Sequence, residues 1–168
     1  MLLAAVGVAT LLAACGSSSS SSTSTSTSAA ESQASGSAPS TPTSGPLSKE
    51  PTVTPPSGPA PHTLVTKEII TGTGQTATAG DRVTVNYVGV LYSDGSKFDA
   101  SWDRNEPFSF TLGAHEVIPG WEEGVEGMRV GGRRELIIPP AQAYGASGSP
   151  PKIPPNETLI FVVDLLAA

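Results

Sequence analysis

Bond-making chemistry needs an activated nucleophile, a metal or a bound cofactor. The residues that could supply these are few: two histidines, His62 and His115, and one cysteine, Cys15. His115-Glu116 begins like a zinc-protease motif, but Pro119 stands where the second ligating histidine would be. Gly145-Ala146-Ser147-Gly148-Ser149 misses the spacing of a nucleophile elbow. Gly72-x-Gly74-x-x-Ala77 follows a strand-like run, yet Thr78-Ala79-Gly80-Asp81 then turns into another strand, so these glycines read as turn residues rather than a dinucleotide site. No phosphate-binding loop is present. The expected site therefore has no metal and no cofactor. Net charge is −6 and the basic residues are scattered, with Arg133-Arg134 the densest pair, so nucleic acid is an unsuitable partner. Those two arginines, like Glu122-Glu123, read as solvated surface.

The remaining chemistry-bearing residues are aromatic or polar-tipped, and they fall in ordered blocks. These are Val85-Asn86-Tyr87-Val88-Gly89, Lys97-Phe98-Asp99, Asp103-Arg104-Asn105-Glu106-Pro107-Phe108, Glu116-Val117-Ile118-Pro119-Gly120-Trp121-Glu122-Glu123-Gly124, Ala143-Tyr144-Gly145, and Ile153-Pro154-Pro155-Asn156-x-Thr158-Leu159-x-Phe161. Together they closely resemble the FKBP family of peptidyl-prolyl cis/trans isomerases. The resemblance implies a pocket with Trp121 as its floor and Tyr87, Phe98, Phe108, Val117, Ile118 and Phe161 as walls. It places Asp99 near the reacting bond, held by Arg104 and Tyr87. The Ile118 backbone N–H and the Tyr144 hydroxyl would hold carbonyls of the bound chain, and Ile153 would close the pocket. Glu116 either adds a backbone contact or caps a short helix. Taken singly, Trp121, Phe108 and Phe161 read as core. The joint presence of Tyr87, Asp99, Arg104 and Tyr144 favours a pocket, because a core has no need of four polar tips at those places.

Such a pocket suits the reaction. Rotation about an X–Pro bond crosses a barrier of about 18–20 kcal/mol because the amide must lose its resonance. No bond breaks, so no base or nucleophile is required. A dry aromatic site favours the twisted amide, whose carbonyl is less polar, over the planar form that water solvates better.

The elements that must position these residues are legible in the patterning. Leu64–Ile70 is β-branched and lies between Pro61 and Gly72, which marks a strand. Arg82–Leu91 alternates, with Val83, Val85 and Tyr87 on one face and Arg82, Thr84 and Asn86 on the other. Phe108–Leu112 and Arg134–Ile138 are further strands, and Thr158–Leu166 is nearly continuous apolar sequence, as in a central strand. Only Pro119–Val125 looks helical, with proline at its start and acidic residues early. The expectation is an α+β domain, and the family resemblance makes it an antiparallel five- to six-stranded sheet wrapped around one short helix.

Composition divides the chain into three parts. Residues 1–15 are an apolar run ending Leu12-Ala13-Ala14-Cys15, shorter than the roughly 20 residues that span a bilayer. The run reads as a secretory signal, and its end resembles the bacterial lipobox, in which the cysteine thiol takes the lipid. Residues 16–61 are rich in Ser, Thr and Pro and poor in large apolar residues, so a disordered tether is expected there. Residues 62–168 carry the apolar sequence of the isomerase domain.

The leading expectation is thus a monomeric isomerase, lipid-anchored outside the cytoplasm at a bacterial cell membrane, that assists folding of extracytoplasmic proteins. Its partners would be proline-containing polypeptides, with macrolide inhibitors also implied by the resemblance. A non-catalytic module that captures proline segments is the alternative, and a surface adhesin a weaker third. Relative to the best-known eukaryotic members, the loop after Tyr144 has Ser149 for histidine and Lys152 for an aliphatic residue, so substrate preference is where this chain should differ.

Overall fold

The structure, a computed structural model, describes residues 45–168; Cys15, the signal and the first part of the expected tether lie outside them. The strands are β1 (Val65–Ile70), β2 (Arg82–Leu91), β3 (Lys97–Ala100), β4 (Phe108–Thr111), β5 (Arg133–Ile138) and β6 (Leu159–Ala167), with one helix, α1 (Pro119–Val125). They form one antiparallel sheet in the order β1-β5-β6-β2-β3, with β4 pairing the first residues of β2, Arg82 to Val85. The expected α+β fold is the observed one.

β3 is the strand that patterning did not reveal. It is four residues long, and its pairing with β2 slips by one residue: Gly89 faces Asp99 and Val90 faces Lys97, which leaves Phe98 as an extra residue. Such a bulge erases the period of two on which strand recognition rests.

The odd-numbered residues of β2, Val83, Val85 and Tyr87, join Val163 and Leu165 of β6 in a core closed by α1. Removing each such aliphatic side chain from water contributes about 1.5–3 kcal/mol. Pro119 starts the helix at its first position, where the missing N–H is no loss. Gly120 and Gly124 then let the helix lie close on β5: a Cβ at either would come within 2.3 Å of Ile138 or 2.7 Å of Leu136.

The other face of the sheet is buried too, which the sequence reading did not anticipate. Val88, Val90, Ala100, Ile137 and Ile160 form a second apolar cluster against which Val53, Tyr92 and Trp102 pack. The stretch 45–61 was expected to belong to the tether; it lies instead on the folded domain. Leu47 is 5% exposed, and Pro51, Val53 and Pro55 are half-buried between exposed Glu50, Thr52 and Thr54. A few apolar residues at alternate positions were enough to bind a segment whose average composition reads as disordered.

The expectation that Arg133 is surface is likewise corrected. Arg133 is 8% exposed and its guanidinium grips the fully buried Asp164 through Nε (2.5 Å) and Nη2 (2.7 Å), while Nη2 also donates to the Lys49 carbonyl at 2.8 Å. Arg133 and Asp164 are direct partners across β5 and β6. Arg134 is largely covered as well, bonding Glu68 and the Gly124 and Glu126 carbonyls near the end of α1. Glu122 is not simply solvated, because its carboxylate accepts the Gly113 N–H.

Candidate active site

Between the sheet and the N-terminal end of α1 lies a cavity of about 420 Å³ lined by Tyr87, Phe98, Asp99, Phe108, Glu116, Val117, Ile118, Trp121, Tyr144 and Phe161. These were expected together and are found together. Two other expected residues stand apart from the lining. Arg104 sits behind it, bonded to Asp99 and Tyr87. Ile153, expected to close the pocket, is only 4% exposed and packs into the core beside it.

Trp121 is the floor, 4% exposed, whereas Phe108 and Tyr144 at the mouth are 37% and 40% exposed. The rings around Trp121 meet it edge-on: Tyr87 at 5.1 Å and 83°, Phe161 at 5.2 Å and 89°, Phe108 at 6.1 Å and 75°. Phe98 completes the box against Phe161, 5.5 Å away at 89°. Edge-to-face contacts of this kind each add about 0.5–1.5 kcal/mol beyond area burial, so the walls hold their geometry.

The bulge in β3 explains how two consecutive residues serve one pocket. In a regular strand Phe98 and Asp99 would point to opposite faces. With Phe98 as the extra residue both line the cavity, while Lys97 and Ala100 are turned to the sheet's other side. Gly89, opposite Asp99, makes room for them. A Cβ there would lie 2.7 Å from Phe98 Cζ and 2.8 Å from Phe161 Cε1.

Asp99 is the one carboxylate tied into the wall by charge. The Tyr87 hydroxyl donates to its Oδ2, and Arg104 donates to its Oδ1 at 2.6 Å and to the Tyr87 oxygen at 2.9 Å. Burial alone would push the Asp99 pKa up, but the hydrogen bonds from Tyr87 and Arg104 outweigh it and hold the carboxyl below its usual range. Burial, then the bond to Asp99, pushes the Tyr87 phenol up to about 12. At neutral pH the pocket wall thus holds an anion compensated within the wall and a neutral phenol. Glu116 is occupied, accepting the Thr111 N–H at 2.8 Å at the end of β4. Among the described residues the Ile118 N–H and the Tyr144 hydroxyl are uncommitted, and the Trp121 indole N–H in the floor is buried without a partner.

Ser101 escaped the sequence reading. It is fully buried, accepts the Tyr87 N–H at 2.9 Å and donates to Asn86 Oδ1 at 3.0 Å, so it fixes the backbone from which Tyr87 projects. One serine after a strand carries no pattern that would have singled it out.

Residues 73–166 match the FKBP-type peptidyl-prolyl cis-trans isomerase family. The chain belongs to that family. An FK506-binding protein of Streptomyces anulatus is 55% identical over 120 residues, covering 71% of this chain and 97% of its own. The peptidyl-prolyl cis-trans isomerase Fkbp12 of Drosophila melanogaster is 58% identical over 87 residues, 52% of this chain and 80% of its own. Among solved structures, AtFKBP13 superposes with a TM-score of 0.59 at 35% identity, covering 64% of this chain and 94% of that one. The FKBP-type domain described here is accordingly a peptidyl-prolyl cis-trans isomerase.

Proposed function

We propose that this chain isomerises X–Pro bonds of polypeptides folding outside the cytoplasm, from a lipid anchor on Cys15, and that the aromatic cavity is where the bond turns. The observation that carries the mechanism is the pairing of an edge-on aromatic box with an internally compensated Asp99. Trp121 underlies the proline ring, and Phe98, Phe108 and Phe161 exclude water from the imide. A planar amide gives up hydration on entry, and a twisted amide, being less polar, gives up less. Each roughly 1.4 kcal/mol of preference for the twisted form is a tenfold gain in rate. Because Arg104 and Tyr87 already satisfy Asp99, its charge orients the wall without drawing water into the cavity. The Ile118 N–H and the Tyr144 hydroxyl hold carbonyls on either side of the turning bond. FK506, for which the relatives are named, would compete for the same cavity.

A protease-coupled assay on an X–Pro tetrapeptide tests the catalytic half. Acceleration over the uncatalysed rate at micromolar protein is expected, and none would leave only a proline-binding module. The anchoring half rests on the apolar run closed by Leu12-Ala13-Ala14-Cys15 and the Ser/Thr-rich segment after it. Mass spectrometry of the membrane fraction should find a diacylglyceryl adduct on Cys15; an unmodified thiol there would refute the anchor.

A further inference from the structure

We infer that residues 45–61 are a positioning strap for the isomerase reaction, gripping β3 from behind so that its bulge presents Phe98 and Asp99 to the cavity. The inference rests on the isomerase reading above and extends it to residues on the far side of the sheet.

β3 needs such support. It is a four-residue strand at the sheet's edge, joined to β2 by three residue pairs, and it carries two wall residues on a bulge. Short edge strands hold their register weakly without further packing. Lys97 and Ala100, which flank the two wall residues, are the residues that face the strap. The Lys97 ammonium lies 3.3 Å from Glu50 of the strap and 2.6 Å from Asp103. Ala100 is 1% exposed in the cluster against which Val53 packs.

The strap reaches both neighbours of β3 as well. In the turn before it, Pro55 fills the space at Gly95, with ring carbons 3.1 Å from where a Cβ would stand, and the Tyr92 hydroxyl donates to the Pro59 carbonyl at 3.3 Å. After it, the 3-10 turn Trp102–Arg104 supplies Asp99's partner, and Trp102 packs on the same apolar cluster as Val53. At its start the strap is fixed independently by buried Leu47 and by Arg133's bond to the Lys49 carbonyl. One continuous segment thus backs the turn, the bulged strand and the 3-10 turn that together set the Asp99–Arg104–Tyr87 arrangement. Glu50 and Val53 act through β3 and do not reach the cavity, so they are positioning residues.

The test uses the full 168-residue chain. Val53→Asp puts a charge against the apolar cluster, and Val53→Ile keeps the contact. Activity is measured at a temperature where circular dichroism shows each variant folded, and the Asp99 carboxyl is titrated by carbon NMR. Val53→Asp should lower kcat about five- to tenfold with a smaller change in KM. It should also move the Asp99 titration up toward the ordinary carboxylate value as the Tyr87 and Arg104 bonds loosen. Val53→Ile should restore both. Glu50→Gln should cost about twofold to threefold in dilute buffer and nothing relative to the parent in about 1 M salt, where an exposed ion pair is screened. A folded Val53→Asp variant with parental kcat and Asp99 titration overturns the inference. If that variant does not fold, parental kcat for Glu50→Gln in dilute buffer overturns it alone. Failure of the isomerase reading would show differently, as no turnover by the parent chain, and the Asp99 titration would still report on the strap.

Discussion

Gly89→Ala isolates what one methyl group does to the wall. Gly89 sits in β2 with an extended backbone that any residue could adopt, so the substitution brings no conformational penalty of its own. Its new Cβ would stand 2.7 Å from Phe98 Cζ and 2.8 Å from Phe161 Cε1, both in well-packed rings. Ordinary carbon contacts lie near 3.5–4.0 Å, so each ring must retreat by roughly 1 Å. Phe161 is held edge-on by Trp121 and sits on central strand β6, which leaves Phe98 on its short edge strand to give way. Overpacking of this kind costs about 1–3 kcal/mol of stability. A 1 Å displacement of a positioning wall can cost on the order of 100-fold in rate. The expected result is a folded protein, a few degrees less stable, with kcat/KM on an X–Pro peptide reduced between ten- and a hundredfold. Thermal unfolding and the protease-coupled assay measure the two effects separately. Parental kcat/KM in the alanine variant would refute the claim that the close approach of Phe98 and Phe161 over Gly89 builds the catalytic wall.

Ser101→Ala leaves the buried Tyr87 N–H without its 2.9 Å acceptor, so chemical denaturation should show a loss of about 1–3 kcal/mol. Asp99→Ala should remove most turnover while costing little stability, since the pair it breaks with Arg104 is part-exposed; equal losses in both would contradict this. The pH profile follows from the shifts. Asp99's lowered pKa means that its stabilising contribution is present above its unfolded value of about 3.9 and is lost as pH falls through the lower folded value. Tyr87's value, raised to about 12 from 10.0, means that its contribution is full below 10.0 and is lost as pH rises toward 12. Activity should therefore be flat from about pH 5 to 9, and a titration near neutrality in kcat/KM would refute the assignment. Lys152 is exposed on the turn closed by Ser149 and Ile153, and its charge reaches Asp99. Peptides with Glu before Pro should be turned over a few-fold faster than those with Lys in dilute buffer, and equal rates would count against this.

Most of the pocket was legible in the sequence because its residues are chemically distinctive and come in ordered blocks. The family resemblance placed Trp121, Phe161, Tyr144 and Asp99 in one cavity without coordinates, with Arg104 as Asp99's partner. The regular strands were legible for a different reason: β2 alternates polar and apolar residues from Arg82 through Tyr87. What stayed hidden depended on contacts between distant segments. β3 has no period to read, because its bulge spends one of four positions. The Arg133–Asp164 pair spans 31 residues, and nothing near either residue announces the other. Leu47 and Val53 are lone apolar residues in a Pro/Ser/Thr stretch, and averaging composition over that stretch conceals them. Ser101 is the extreme case, since its importance lies wholly in the two β2 residues it touches.

The position of β6 bears on how the molecule comes into being. It lies between β5 and β2 at the centre of the sheet and brings Phe161 to the pocket and Asp164 to the buried pair, yet it follows every other strand along the chain. During synthesis, the β1–β5 pair and the group of β2, β3 and β4 emerge before the strand that joins them. The β1–β5 and β2–β6 pairings close over long stretches of sequence, which makes folding slow compared with domains built from local contacts. A catalyst of proline isomerisation with this topology has no cavity to offer until its last strand is in place, so its activity is itself a report that folding has finished.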